Sequence, residues 1–163
     1  MKDNRGFSLI ELIVVIAIMG IASGIVAYVL VNMSSARAKT AAEDLKAELE
    51  TTRVLAMSRG GGKMKLYRDA NGDIWAERVI TNDVTDGSES GDKKKIGTSA
   101  ITITYHVKDS ADYDITNDPC EFTFHPGTGE FTGSRFIDSI TVSGGGKTVK
   151  LILWKLTGRV ETE

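Results

Sequence analysis

One cysteine, Cys120, stands alone in the chain of 163 residues. A single thiol cannot close an internal disulfide, and by itself it cannot build a cysteine-based zinc site. Histidine is nearly as scarce: His106 and His125 are the two present, and no clustered acid/base set accompanies them, which leaves no catalytic centre to name. Pro119 and Pro126 are the only prolines, so no ring interrupts a helix anywhere in residues 7–59. Charge of one sign is missing too. Twenty basic against 22 acidic residues give a formal net charge of -2. A general nucleic-acid binder would carry a basic surplus. The length suits one domain, or one domain plus an appendage.

What the chain does have is a long apolar run. Residues 12–31 read LIVVIAIMGIASGIVAYVLV, with 17 of 20 in the apolar set, and no charge falls between Glu11 and Arg37. Twenty such residues in a helix span about 30 Å, the thickness of a bilayer's hydrocarbon core. Gly20 and Gly24 form a small-xxx-small step that lets another helix approach. One end of the chain therefore belongs in lipid and the rest in water, which excludes an ordinary cytosolic globular enzyme. The run is longer than the roughly 7–15 residues of a cleaved secretory signal, and a plain signal anchor fits its length. Neither identity explains Glu11. A carboxylate at bilayer depth costs about 2.5–3.5 kcal/mol and is a functional-site candidate by default. It needs a cation, and the span supplies none. Lys2 and Arg5 favour a cytoplasmic amino terminus, and Arg37 and Lys39 beyond the other end weaken that bias.

The segment Arg5-Gly6-Phe7-Ser8-Leu9-Ile10-Glu11-Leu12, followed by the apolar run, resembles the class III signal of the type IV filament superfamily. That superfamily contains type IV pilins and the pseudopilins of type II secretion. The resemblance implies that a prepilin peptidase cuts between Gly6 and Phe7 and methylates the new amino group of Phe7. It also implies that Glu11 pairs with the Phe7 amino group of a neighbouring subunit. That pairing supplies the missing cation, and it makes Glu11 and Phe7 assembly residues rather than catalytic ones.

Beyond the span, Ala38, Ala42, Leu45, Leu49, Thr52 and Ala56 step by 4, 3, 4, 3, 4 and mark one narrow helical face. Gly60-Gly61-Gly62 ends the pattern. We expect one helix over residues 7–59, about 80 Å long if straight, with Gly20, Gly24 and residues 32–35 as places to bend. The remainder reads as strands: residues 64–67 and 74–79 around an Asn71-Gly72 turn, 101–107, 120–124, 140–142 and 149–154, the last two joined across residues 144–147. Residues 81–95 read as a mobile polar loop and 109–118 as an acidic loop. The expected class is α+β: a long N-terminal hydrophobic helix, transmembrane and then amphipathic, packed on an antiparallel β-sheet head. The divisions are a leader at 1–6, a transmembrane or filament-core helix at 7–31, its amphipathic continuation at 32–59 and the head at 60–163.

The head extends the resemblance. Residues 52–59 (TRVLAMSR), Trp75, the element Phe124-His125-Pro126-Gly127-Thr128-Gly129 and the closing Leu156-Thr157-Gly158-Arg159-Val160 are similar to the GspH/FimT group of minor pilins and pseudopilins. The absence of a carboxyl-terminal disulfide and of a proline in the span fits a minor subunit better than a main building block. The resemblance implies a pilin-like structural subunit without cofactor, not an enzyme. Its partners would be other pilin or pseudopilin subunits, the prepilin peptidase, an inner-membrane assembly platform and, before assembly, membrane lipid. Its location would be the cytoplasmic membrane, single-pass, with a periplasmic or extracellular head, and then a filament. An alternative is a filament-tip binding module recognising DNA or a secreted protein through the loops 81–95 and 109–118.

Other motifs have plainer readings. Gly144-Gly145-Gly146-Lys147-Thr148 resembles the end of a phosphate loop, but Thr141 stands where its first glycine belongs and a β-rich stretch follows. Asp69, Asn71 and Asp73 have calcium-loop spacing, yet Ile74 and Ile80 occupy the glycine and glutamate positions, so a turn is expected. Asp109, Asp112, Asp114 and Asp118 read as a solvated loop, with no metal assigned. Cys120, in phase with Phe122 and Phe124, reads as a small buried hydrophobe. Lys93-Lys94-Lys95 reads as solvated; residues 37–163 hold 18 basic and 20 acidic side chains, a balance that does not point to nucleic acid.

Overall fold

The computed structural model describes residues 8–80 and 91–163, without the side chains of residues 26, 27 and 30–34. Among the described residues one helix, α1 (Leu9–Arg59), leads into ten strands. Ser8 caps its start in an extended conformation, its Oγ accepting the Glu11 N–H at 3.3 Å. This satisfies one of the donors that a helix start leaves free. Gly60 stops it in the left-handed conformation (φ 93°), its N–H donating to the Ala56 carbonyl, a geometry that costs a side-chain-bearing residue more. The helix is continuous through Gly20 and Gly24.

The strands form two five-stranded antiparallel sheets where one was expected. The first runs β3-β2-β1-β6-β7 and contains β1 (Gly62–Arg68), β2 (Ile74–Ile80), β3 (Asp92–Gly97), β6 (Cys120–Phe124) and β7 (Phe131–Thr132). The second runs β10-β9-β8-β4-β5 and contains β4 (Thr102–Val107), β5 (Asp112–Asp114), β8 (Ile137–Gly144), β9 (Lys147–Trp154) and β10 (Arg159–Thr162). Period-two burial explains the pairing. Met64, Leu66, Phe122 and Phe124 face inward from the first sheet, and Ile103, Tyr105, Ile140, Val142, Leu151 and Leu153 from the second. Both inner faces meet the same helical stripe. Ala38, Ala42, Leu45, Leu49, Thr52 and Ala56 are each at most 1% exposed, as their spacing predicts. The small residues on this stripe let both sheets approach the helix axis.

Turns follow the glycine chemistry. Gly145 and Gly146, at φ 58° and 76°, connect β8 to β9 as a two-residue turn of the kind that matches strand twist. Ser35 Oγ on α1 donates to the Gly145 carbonyl at 2.6 Å, so this hairpin is tied to the helix. Two further turns lock the sheets together. Gly129 lies in the β6–β7 turn and Gly158 in the β9–β10 turn, and Arg53 Nε on α1 donates to the Gly129 carbonyl at 3.3 Å. The Phe131 N–H donates across to the Lys155 carbonyl at 2.9 Å. A Cβ at Gly158 would sit 1.8 Å from the Gly129 oxygen. The glycines of the two motifs singled out near the end of the sequence therefore meet above the helix, one from each sheet.

Two substitutions test this packing by denaturant or thermal unfolding. Leu49→Ala should cost about 2–5 kcal/mol. Gly158→Ala should also destabilise by more than about 2 kcal/mol, because it adds both a clash and a strained left-handed residue. Glu50→Ala, on the exposed side of the same helix, should stay within about 0.5 kcal/mol.

Candidate functional site

The first half of α1 is where the chemistry of the chain is unusual. Leu12, Ile13, Val14, Val15 and Ile16 follow one another, so the apolar surface goes all the way round. Nothing in the described structure covers it: Leu9 is 76% exposed, Ile16 61% and Ile21 68%. A soluble monomer rarely leaves a contiguous apolar surface of this extent in water. Side chains added at Gly20 or Gly24 would meet nothing within 4 Å, so both positions are open to an approaching helix. Ser23 hides its polarity by donating to the Met19 carbonyl at 2.8 Å. Glu11 is exposed in the first turn, where the helix dipole favours a negative charge. Gly6 and Phe7, the expected cleavage and methylation residues, lie outside the described residues. Among the described residues no helix is long and apolar enough to cross a membrane. Part of the expected span, residues 26–27 and 30–31, falls on side chains outside the description.

The lysine run departs from its sequence reading. Lys93, Lys94 and Lys95 lie on β3, at the edge of the first sheet, rather than in a mobile loop. Each is engaged: Lys93 with Glu77 at 3.2 Å, Lys94 with Asp44 at 3.0 Å and Glu48 at 3.4 Å, and Lys95 with Asp73. The hydrogen bond to Asp44 holds the Lys94 ammonium above its usual range. Arg78 meets Glu48 at 3.2 Å with both side chains mostly buried, fastening β2 to α1. Lysines on an edge strand also discourage further strand pairing. Residues 81–90, with Ser88 and Ser90, lie outside the described part.

The acidic segments are structural as well. Burial pushes the Asp69 carboxyl up. Hydrogen bonds from the Asp73 N–H, the Trp75 indole and the Asn71 N–H outweigh that and hold it below the usual range. Asp69 thus organises the turn at Gly72 (φ 85°). The second acidic stretch, expected from its sequence to be a loop, contains the short strand β5. There His106 Nδ1 and Asp112 lie 2.8 Å apart, Asp114 accepts the Thr116 N–H at 2.7 Å, and Asp118 meets Arg135 at 3.1 Å. Among the described residues, no three His, Cys, Asp or Glu side chains gather as a metal site would need. Cys120 is buried, and burial pushes its thiol pKa far up. His125 Nδ1 lies 3.1 Å from Thr128 Oγ1 inside its own turn.

One cluster had no sequence signal. Tyr105 and Tyr113 stack with centroids 5.5 Å apart, and the Arg135 guanidinium sits 4.7 Å over the Tyr113 ring. Burial first, then Asp118, pushes the Tyr105 hydroxyl up to about 12. Nothing in the spacing of Tyr105, Asp118 and Arg135 could have joined them, because β4, the turn before β6 and the turn before β8 meet only in the fold.

These features define an α+β head carrying an uncovered apolar helix. Residues 1–27 match the family model of the prokaryotic N-terminal methylation motif, the motif of type IV pilin-like and pseudopilin precursors. No curated protein and no solved structure matches the chain.

Acid should loosen the head in a definite range. Asp69, Asp114 and Asp118 all titrate below their ordinary value of 3.8 in the folded state. For Asp114, burial opposes the shift and the Thr116 hydroxyl and N–H reverse it; for Asp118 the Tyr105 and Arg135 hydrogen bonds lead. A depressed folded pKa contributes stability above the unfolded value, which is lost as pH falls through the folded one. Unfolding followed by circular dichroism should show that contribution intact at pH 7 and eroding below about pH 4. Asp114→Asn should make that decline shallower.

Proposed function

We propose that the chain is a structural subunit of a type IV pilus or type II secretion pseudopilus, made as a membrane-inserted precursor and assembled through α1. The single observation that carries this reading is an apolar helix, uncovered by its own head, that bears the methylation motif with Glu11 in its first turn. In the precursor, lipid covers residues 7–31, with the amino terminus cytoplasmic and the head across the membrane. Prepilin peptidase cuts between Gly6 and Phe7 and methylates the Phe7 amine. On assembly the same surface passes from lipid to neighbouring helices, so little apolar area meets water at any stage. Glu11 then pairs with the Phe7 amine of the next subunit. An ion pair in an apolar bundle fixes register more dependably than it adds stability.

The finer assignment is a minor subunit of the GspH/FimT kind, supported by the Gly129 and Gly158 turns that the two head motifs supply. The chemistry asked of the chain is binding and packing, not catalysis. A tip module for DNA has less support, since the lysine run it would use is occupied by carboxylates of the fold.

Glu11→Ala should leave membrane insertion unchanged and reduce recovery in sheared filaments by about tenfold. Equal recovery of this variant would remove Glu11 from assembly. Gly6→Arg should accumulate precursor, and mass spectrometry of the wild-type mature chain should find methylated Phe7 at its start. A wild-type chain that keeps residues 1–6 in the filament would overturn the proposal.

A further inference from the structure

The outer face of the second sheet is not used by the core or by the proposed assembly. It holds a groove of ≈ 680 Å³, within the roughly 300–1,000 Å³ of small-molecule sites. Its floor is hydroxyl-bearing: Thr104 on β4 with Ser139 and Thr141 on β8, where Thr104 pairs with Thr141 and Ser139 with His106. Lys150 and Trp154 of β9 line it as well. Trp154 is 53% exposed, a large aromatic surface left in water. Its indole N–H is held by Glu161 at 3.3 Å, which fixes the ring.

A bulge shapes the end of this groove. His106 pairs with Ser139 and Val107 with Ile137, so Asp138 is the extra residue on β8. Bulges re-aim side chains and recur beside binding sites. Asp138 lines the groove, and its Oδ1 is buried without a hydrogen-bond partner among the described residues.

We infer that this groove binds a neutral glycan chain, with Trp154 stacking on a sugar ring and Asp138, Thr141 and Lys150 reading its hydroxyls. Charge selects among ligands. The lining holds two lysines, Lys108 and Lys150, and two aspartates, Asp112 and Asp138, with His106 Nδ1 2.8 Å from Asp112, so neither a polyanion nor a polycation finds a complementary surface. Backbone selects too. β4, β8 and β9 are interior strands, each with a neighbouring strand on both sides, so the face itself is not a sheet edge at which an extended peptide would add a strand. What remains are side-chain donors and acceptors of both kinds beside a rigid aromatic, which suits a polyol. This inference does not depend on filament assembly.

The test uses the full chain in lauryldimethylamine oxide micelles, which carry no sugar headgroup. Cellotetraose, maltotetraose and chitotetraose serve as probes, read by tryptophan fluorescence and calorimetry. At least one should bind saturably. Trp154→Ala should weaken it tenfold or more, and Thr141→Arg, which fills the floor, should abolish it, both with unchanged circular dichroism. Asp138→Asn, which keeps the shape of the side chain, should weaken it less than Trp154→Ala. Absence of saturable binding to all three probes would overturn the inference, as would binding indifferent to Trp154 and Thr141. Retention of single-stranded DNA in their place, lost on Lys108→Ala with Lys150→Ala, would overturn it in favour of a polyanion site.

Discussion

The constraint on which this molecule turns is that one continuous helix presents two surfaces that must leave water by different routes. From Ala38 onward it offers a stripe narrow enough for two sheets to share, and the head closes over it. Across residues 12–25 it is apolar on nearly every side, and the head does not cover it. On the proposed reading, folding satisfies one part of α1 and leaves the other to lipid or to other chains. The hydrophobic effect supplies both drives; which one acts depends on where the apolar area sits along a rigid rod.

The head is built to hold that rod firmly. Contacts from both sheets converge on it: Arg78 to Glu48 from the first, the Gly145 turn to Ser35 from the second, and Arg53 beneath the Gly129–Gly158 contact where the two sheets meet. Charged side chains that looked available in the sequence are largely consumed in this fastening. A run of three lysines becomes an edge strand locked to four carboxylates. The acidic stretch becomes a set of turns and pairs around Arg135 and His106.

On the proposed reading, function and stability occupy separate parts of the chain. The Glu11 region is functional because it is unsatisfied within one molecule, whereas the Gly129 and Gly158 motifs keep the head closed. Motifs in the same sequence thus answer to different pressures, and only a structure separates them.

The sequence by itself determined what depends on neighbours along the chain. The 4, 3, 4, 3, 4 spacing fixed the buried face of α1, the alternation around Phe122 fixed the inward side of β6, and Asn71-Gly72 and Gly145-Gly146 fixed their turns, because helix period, strand pleat and left-handed backbone are local properties. The anomalous Glu11 was legible for the same reason: its environment is set by the residues on either side. Only the tertiary structure decided that the strands divide into two sheets, that Lys93–Lys95 belong to one of them, and that Tyr105, Asp118 and Arg135 meet. Those outcomes rest on contacts between residues far apart in the chain, whose partners are chosen by packing around the helix and not by spacing.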